Sequence, residues 1–205
     1  LIAALAKGGG DKEGGEEEGS VLLPEYAGAA LAFLTGGDLE VQAMVRVQGG
    51  LPPLVSLLKS SNVAHLRYSL LSIWNLTGDK ENREVLRGMG ALDSLVYAAQ
   101  HSVDESDPAA VNDLAVGVAG CIWGLALDNS ANQAAALAAG VLPHVVGYTA
   151  SSNTRLQELA VGAVWTLSED DANKKELVSL GCLEPLLGIM AHPASRRSTT
   201  GAFAA

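Results

Sequence analysis

The chain has 205 residues, 23 acidic against 13 basic, a formal charge of −10 and only two cysteines. Two cysteines cannot staple a disulfide scaffold, and a 48% hydrophobic share is too high for a disordered chain. A pI near 4.7 argues against nucleic acid as a partner, because phosphates need clustered Lys and Arg. Leu1-Ile2-Ala3-Ala4-Leu5-Ala6 is apolar but too short for a signal-peptide core. Residues 8–20 follow as a Gly/Glu stretch, with Asp11, Glu13, Glu16, Glu17 and Glu18 against Lys12. They are expected to form an acidic low-complexity loop.

The next landmark is Phe33-Leu34-Thr35-Gly36-Gly37-Asp38, and then Gly49-Gly50-Leu51-Pro52-Pro53-Leu54. Pro52 suits the first turn of a helix expected over 51–59, with Leu54, Leu57 and Leu58 on one face. A longer helix is expected over 62–77, with Ser61 and Asn62 as capping candidates, ending in Ile73-Trp74-Asn75-Leu76. A short helix over 81–87 leads into Gly90. Residues 101–109 form a second acidic insertion carrying Asp104, Glu105 and Asp107. The longest apolar run extends from Leu114 to Leu127. It falls short of the about 20 residues that a spanning helix needs, so a buried core helix is expected and no membrane span. Helices over 153–167, with Ser152 and Asn153 as capping candidates, and over 173–180 complete the series.

These elements repeat. Trp74, Trp123 and Trp165 are followed, at intervals equal to within one residue, by Gly90, Gly140 and Gly181. With Gly49 upstream, the glycines are spaced 41, 50 and 41, the long interval being explained by the insertion at 101–109. Phe33 is taken as the upstream equivalent of the tryptophans, in a register ambiguous by one residue because Leu34-Thr35-Gly36 also aligns with Leu76-Thr77-Gly78. Each landmark glycine permits positive φ at a helix end. Gly120 and Gly162 stand three residues before a tryptophan. An interior helix glycine costs about 1 kcal/mol against Ala, so close packing against a neighbouring helix is expected to offset it. One unit of three helices has more apolar face than it can bury alone. Stacked units form an all-α, right-handed superhelix with a long groove.

The stretch Asn75-Leu76-Thr77-x-x-x-Glu81-Asn82-Arg83-x-x-Leu86-x-x-x-Gly90 resembles the signature at the join between two armadillo repeats. Asn173-Lys174-Lys175-Glu176-Leu177 and Gly181 repeat it, and the resemblance is nearest the β-catenin and vacuolar-anchor branch. It implies a right-handed α-solenoid, three helices per repeat, whose third helices line a concave groove. The expected units are a partial repeat 1–37, repeats 38–78, 79–127 and 128–169, and a partial repeat 170–205. Both ends are expected to cut through repeats, so that the chain is a fragment of a longer array.

The resemblance also implies a non-catalytic scaffold that binds a partner protein or an extended peptide. Trp74, Trp123 and Trp165, joined by Phe33, form a ladder with two readings: core packing between third helices, or indole faces open to a partner. Asn75 fills the slot whose amide, in the family, holds a peptide backbone. Gly124 and Thr166 break that series, and no repeat places its Trp one turn before the Asn as nuclear import receptors do. Arg67 and Arg155 complete the candidate groove residues. The acidic stretches read either as solvating loops or as an edge for a basic partner. His65, His101, His144 and His192 are scattered, and neither H-E-x-x-H nor C-x-x-C occurs. No catalysis, metal or cofactor is expected. The setting expected is intracellular and cytoplasmic, with axonemal and nuclear alternatives, within a larger complex. Two other functions stay open: an importin-α-like receptor for basic peptides, and the substrate-recruiting region of a larger ubiquitin ligase or kinase.

Overall fold

The computed structural model describes residues 18–101 and 108–191. The described residues form helices and no strand. In chain order they are α1 (Glu18–Leu34), α2 (Leu39–Val47), α3 (Leu51–Leu57), α4 (Val63–Leu76), α5 (Lys80–Gly88) and α6 (Ala91–His101). These continue with α7 (Pro108–Ala126), α8 (Ser130–Ala138), α9 (Leu142–Thr149), α10 (Thr154–Leu167), α11 (Asp171–Ser179) and α12 (Leu183–Ala191). A short, a middle and a long helix recur as α2-α3-α4, α5-α6-α7 and α8-α9-α10. The long helix α1 precedes the series and α11-α12 follows it. The result is a right-handed α-solenoid.

Local chemistry fixes the joints. Asn62 and Asn153 cap the long helices: Asn62 Oδ1 accepts from the N–H groups of Ala64 and His65 at 2.8 and 3.1 Å, and Asn153 Oδ1 from Arg155 and Leu156. Asp38, Asp79, Asn129 and Asp170 cap the short first helices in the same way. Gly49, Gly90, Gly140 and Gly181 have φ of 73°, 71°, 76° and 84°, the left-handed conformation that a Cβ disfavours. The N–H groups of Gly50, Val141 and Cys182 then close back on the carbonyls of Val45, Ala136 and Leu177 at 2.8, 3.1 and 3.1 Å, stopping each helix.

Two expected boundaries move. Glu18, Gly19 and Ser20, assigned to the first acidic loop, are the opening turn of α1; the rest of that loop lies outside the described residues. His101 ends α6, and Pro108 with Ala109 begins α7, so of the second insertion 102–107 lies outside the described residues. A proline is at home in a first helical turn, where its missing N–H would have no partner.

The long helices α1, α4, α7 and α10 pack side by side in that order. Leu54, Leu58, Leu66, Leu70, Ile73 and Leu76 are fully buried around the α4 layer, each worth about 1.5–3 kcal/mol of transfer free energy. Gly120 and Gly162 meet the expectation made of them. A Cβ on Gly120 would lie 2.5 Å from the Trp74 ring, and one on Gly162 3.0 Å from the Trp123 ring. Each glycine is the flat seat on which the preceding repeat's indole rests. Ala109–Ala126 of α7 is long and apolar enough to cross a membrane by length and composition, but half of it is buried in the array between α4 and α10.

Candidate functional site

A seam runs between the C-terminal halves of α4 and α7, closed below by the starts of α2 and α5. It holds a cavity of 390 Å³ lined among others by Gln42, Trp74, Asn75, Arg83, Trp123 and Leu127. A second cavity of 160 Å³ continues along the same two helices past Arg67, Leu71, Trp74, Asp113 and Val116. Trp74 borders both.

The tryptophans combine the two sequence readings. Trp74 and Trp123 are partly buried, pack against the cores and still line the larger cavity. Trp165 is 72% exposed. The Arg155 guanidinium carbon lies 5.6 Å from the Trp74 ring centroid, within cation–π range. Trp74 thus links α4 to α10 across α7.

Phe33 is not a rung of this ladder. Thr35 Oγ1 donates to Ala32 O and Thr77 Oγ1 to Trp74 O, and α1 and α4 end at Leu34 and Leu76. Ala32 therefore fills the Trp position and Phe33, 82% exposed, the position of Asn75. The additional residue is absorbed in the Gly36-Gly37 turn, where Gly37 has φ of 78°.

Asn75 Nδ2 donates to Ala32 O at 2.7 Å, tying α4 to α1, while the residue borders the cavity. Its counterparts carry no equivalent amide for physical reasons. A Cβ on Gly124 would stand 2.1 Å from Thr77 Oγ1, and Thr166 is buried with its hydroxyl donating to Gly162 O. Arg67 pairs with Asp113 at 2.9 Å and Arg155 with Glu158 at 3.5 Å, so both arginines have local carboxylate partners.

Two further series run through the short helices. Asn82 Nδ2 donates to Gln42 O and Leu76 O, Asn132 Nδ2 to Arg83 O and Leu125 O, and Asn173 Nδ2 to Gln133 O. These buried amides clamp each first helix onto the one before. A second set, Gln42, Arg83 and Gln133, donates to the end of the preceding long helix, at Thr35 O, Thr77 O and Ala126 O. Arg83 borders the larger cavity, a placement that sequence reasoning did not single out. The recurrence of Gln, Arg and Gln at an aligned first-helix position was its signal.

The nearby acids are matched elsewhere. Arg46 pairs with Asp79 at 2.6 Å and with Glu81. Glu84 is held below the usual carboxylate range by its hydrogen bonds from Arg87 and Asn129. Burial pushes the thiols of Cys121 and Cys182 up, and Cys121 Sγ donates to Leu70 O. Among the described residues no three His, Cys, Asp or Glu side chains converge as a metal site.

Residues 38–78 match the family model described as Armadillo/beta-catenin-like repeat. The Splicing regulator ARVCF of Mus musculus is 29% identical over 155 residues, covering 71% of this chain; the match spans only 16% of that relative's length. A designed armadillo repeat protein in complex with peptide (KR)4 superposes with a TM-score of 0.77 at 18% identity, over 94% of this chain and 73% of the design. Computationally designed armadillo repeat proteins for modular peptide recognition superpose with a TM-score of 0.77 at 22% identity, over 94% of this chain and 75% of the design.

Proposed function

Because the chain is an armadillo-repeat protein, we propose that it is a non-catalytic scaffold binding an extended segment of a partner protein along its long helices. The observation that carries this reading is the 390 Å³ cavity between Trp74 and Trp123, with Asn75 on its wall. Two indoles at one repeat's separation, with an amide between them, offer apolar faces for side chains and a hydrogen-bonding group for a backbone. A structurally similar design binds a peptide. We place the scaffold in the cytoplasm, as one member of a larger assembly. A receptor for basic peptides receives less support, because among the described residues no carboxylate lines this cavity.

Panning the 205-residue chain against a random dodecapeptide library tests the proposal. Leu127 stands exposed at the cavity rim, so Leu127→Trp narrows the groove without entering the core. Enriched peptides are expected to lose most of their affinity for Leu127→Trp and to bind Trp165→Ala more weakly. Peptides that bind the Leu127→Trp variant as well as the parent would refute binding in this groove.

A further inference from the structure

Arg83 is only 5% exposed. Its Nη1 donates to Thr77 O at 2.7 Å, while its Nε is buried without a partner. In the flanking repeats the same bond is made by uncharged side chains: Gln42 Nε2 donates to Thr35 O at 2.9 Å and Gln133 Nε2 to Ala126 O at 3.1 Å. The structural bond therefore needs an amide, and the charge of Arg83 exceeds what that bond requires.

No ion pair among the described residues includes Arg83. Asp79 and Glu81 are taken by Arg46, and Glu84 by Arg87 and Asn129. Glu81, Glu84 and Asp128 border a neighbouring cavity of 280 Å³ that Arg83 also touches. The Arg83 charge helps to hold the Glu84 carboxyl down, but none of the three forms an ion pair with it. Among the described residues, Arg83 is the one charged side chain lining the 390 Å³ cavity between the tryptophans. A buried guanidinium with an unpartnered Nε and no directly bonded carboxylate is incompletely compensated, and a carboxylate arriving there gains charge-assisted hydrogen bonds. Gln42 Oε1, on the same cavity, is a buried acceptor without a donor.

We infer that the cavity between Trp74 and Trp123 is a subsite for an acidic side chain, Asp or Glu, of the extended peptide held in the groove. This deepens the groove reading and rests on it. Arg83 receives the carboxylate, Gln42 Oε1 accepts a peptide N–H, and the two indoles flank the side-chain stem. A Lys or Arg at this place would meet like charge, with no carboxylate among the described residues lining the cavity.

Fluorescence anisotropy of the 205-residue chain with labelled (Asp-Glu)4, (Lys-Arg)4 and (Asn-Gln)4 octapeptides tests the subsite. At low salt (Asp-Glu)4 is expected to bind tightest, and added salt to weaken it. Arg83→Gln keeps the fold, since glutamine makes the equivalent bond in both flanking repeats; circular dichroism checks this. It is expected to weaken (Asp-Glu)4 about tenfold, whereas Arg83→Lys retains most of the affinity. Tighter binding of (Lys-Arg)4, no binding of (Asp-Glu)4 at low salt, or unchanged affinity in Arg83→Gln overturns the subsite. The Leu127→Trp variant separates the two levels. Binding lost in Leu127→Trp but unchanged in Arg83→Gln leaves the groove standing without its acidic subsite. Binding unchanged in Leu127→Trp removes the groove itself.

Discussion

Single residues in this array are chosen by what the next repeat places against them. A Cβ on Gly120 would stand 2.5 Å from the Trp74 ring, a distance no side chain tolerates, whereas the matching contact at Gly162 is looser at 3.0 Å. Gly188, inside α12, has nothing within 4 Å of a Cβ position. Three Gly→Ala substitutions with the same helix-propensity gain of about 1 kcal/mol should therefore separate. Gly120→Ala is expected to destabilise by about 1–3 kcal/mol through overpacking. Gly162→Ala should cost less, and Gly188→Ala should stabilise by about 0.5–1 kcal/mol. Urea midpoints in that order check the assignment. The two thiols make a second case at this scale. Both are buried and free, and burial disfavours their thiolates, the form that reacts. Neither should react with a thiol-specific disulfide reagent in the native protein, and both should react once guanidinium unfolds it.

At the scale of elements, the first helices are held by buried amides as well as by apolar area. Asn132 Nδ2 supplies donors to Leu125 O at 2.7 Å and Arg83 O at 3.3 Å. Asn132→Ala leaves both carbonyls short of a donor and should cost about 1–3 kcal/mol. Hydrogen exchange should rise in α5 and α8 and stay unchanged in α12. Much of this layer is legible in the chain itself. Asn62 and Asn153 before apolar periodic runs announce their helices, and the landmark glycines announce the turns with positive φ. Asn132 could be placed from Asn82 and Asn173 by the spacings of 50 and 41 that the glycines already show. The alignment of Phe33 with the tryptophans failed because the step from Leu34 to Leu76, where α1 and α4 end, is one residue longer than the step between their following caps, Asp38 and Asp79. Periodicity cannot tell in which turn a single inserted residue is absorbed. That Arg83 makes no ion pair was equally hidden, since it depends on which arginines capture Asp79, Glu81 and Glu84 in space.

Across the whole molecule, stability in a solenoid is a sum of units and nearest-neighbour interfaces, and Trp74 exceeds that rule. Its ring starts on α4, lies on Gly120 of α7 and meets Arg155 of α10. Removing it breaks contacts in three consecutive long helices at once. Trp165, with the same place in its own repeat, is 72% exposed among the described residues. The ladder is therefore energetically uneven, although its spacing in the chain is regular. Trp74→Ala is expected to cost about 2–4 kcal/mol, near the lower range for a large core truncation because the ring is only partly buried. Trp165→Ala should fall within about 0.5 kcal/mol of the parent. The decisive readout is cooperativity. Losing Trp74 uncouples α10 from α4, so the urea transition should broaden with a lower m value, and amide exchange should accelerate in α10 as well as in α4 and α7. A sharp transition shifted only in midpoint would mean that Trp74 contributes local packing alone, and that the repeats are coupled chiefly through the Asn82, Asn132 and Asn173 clamps.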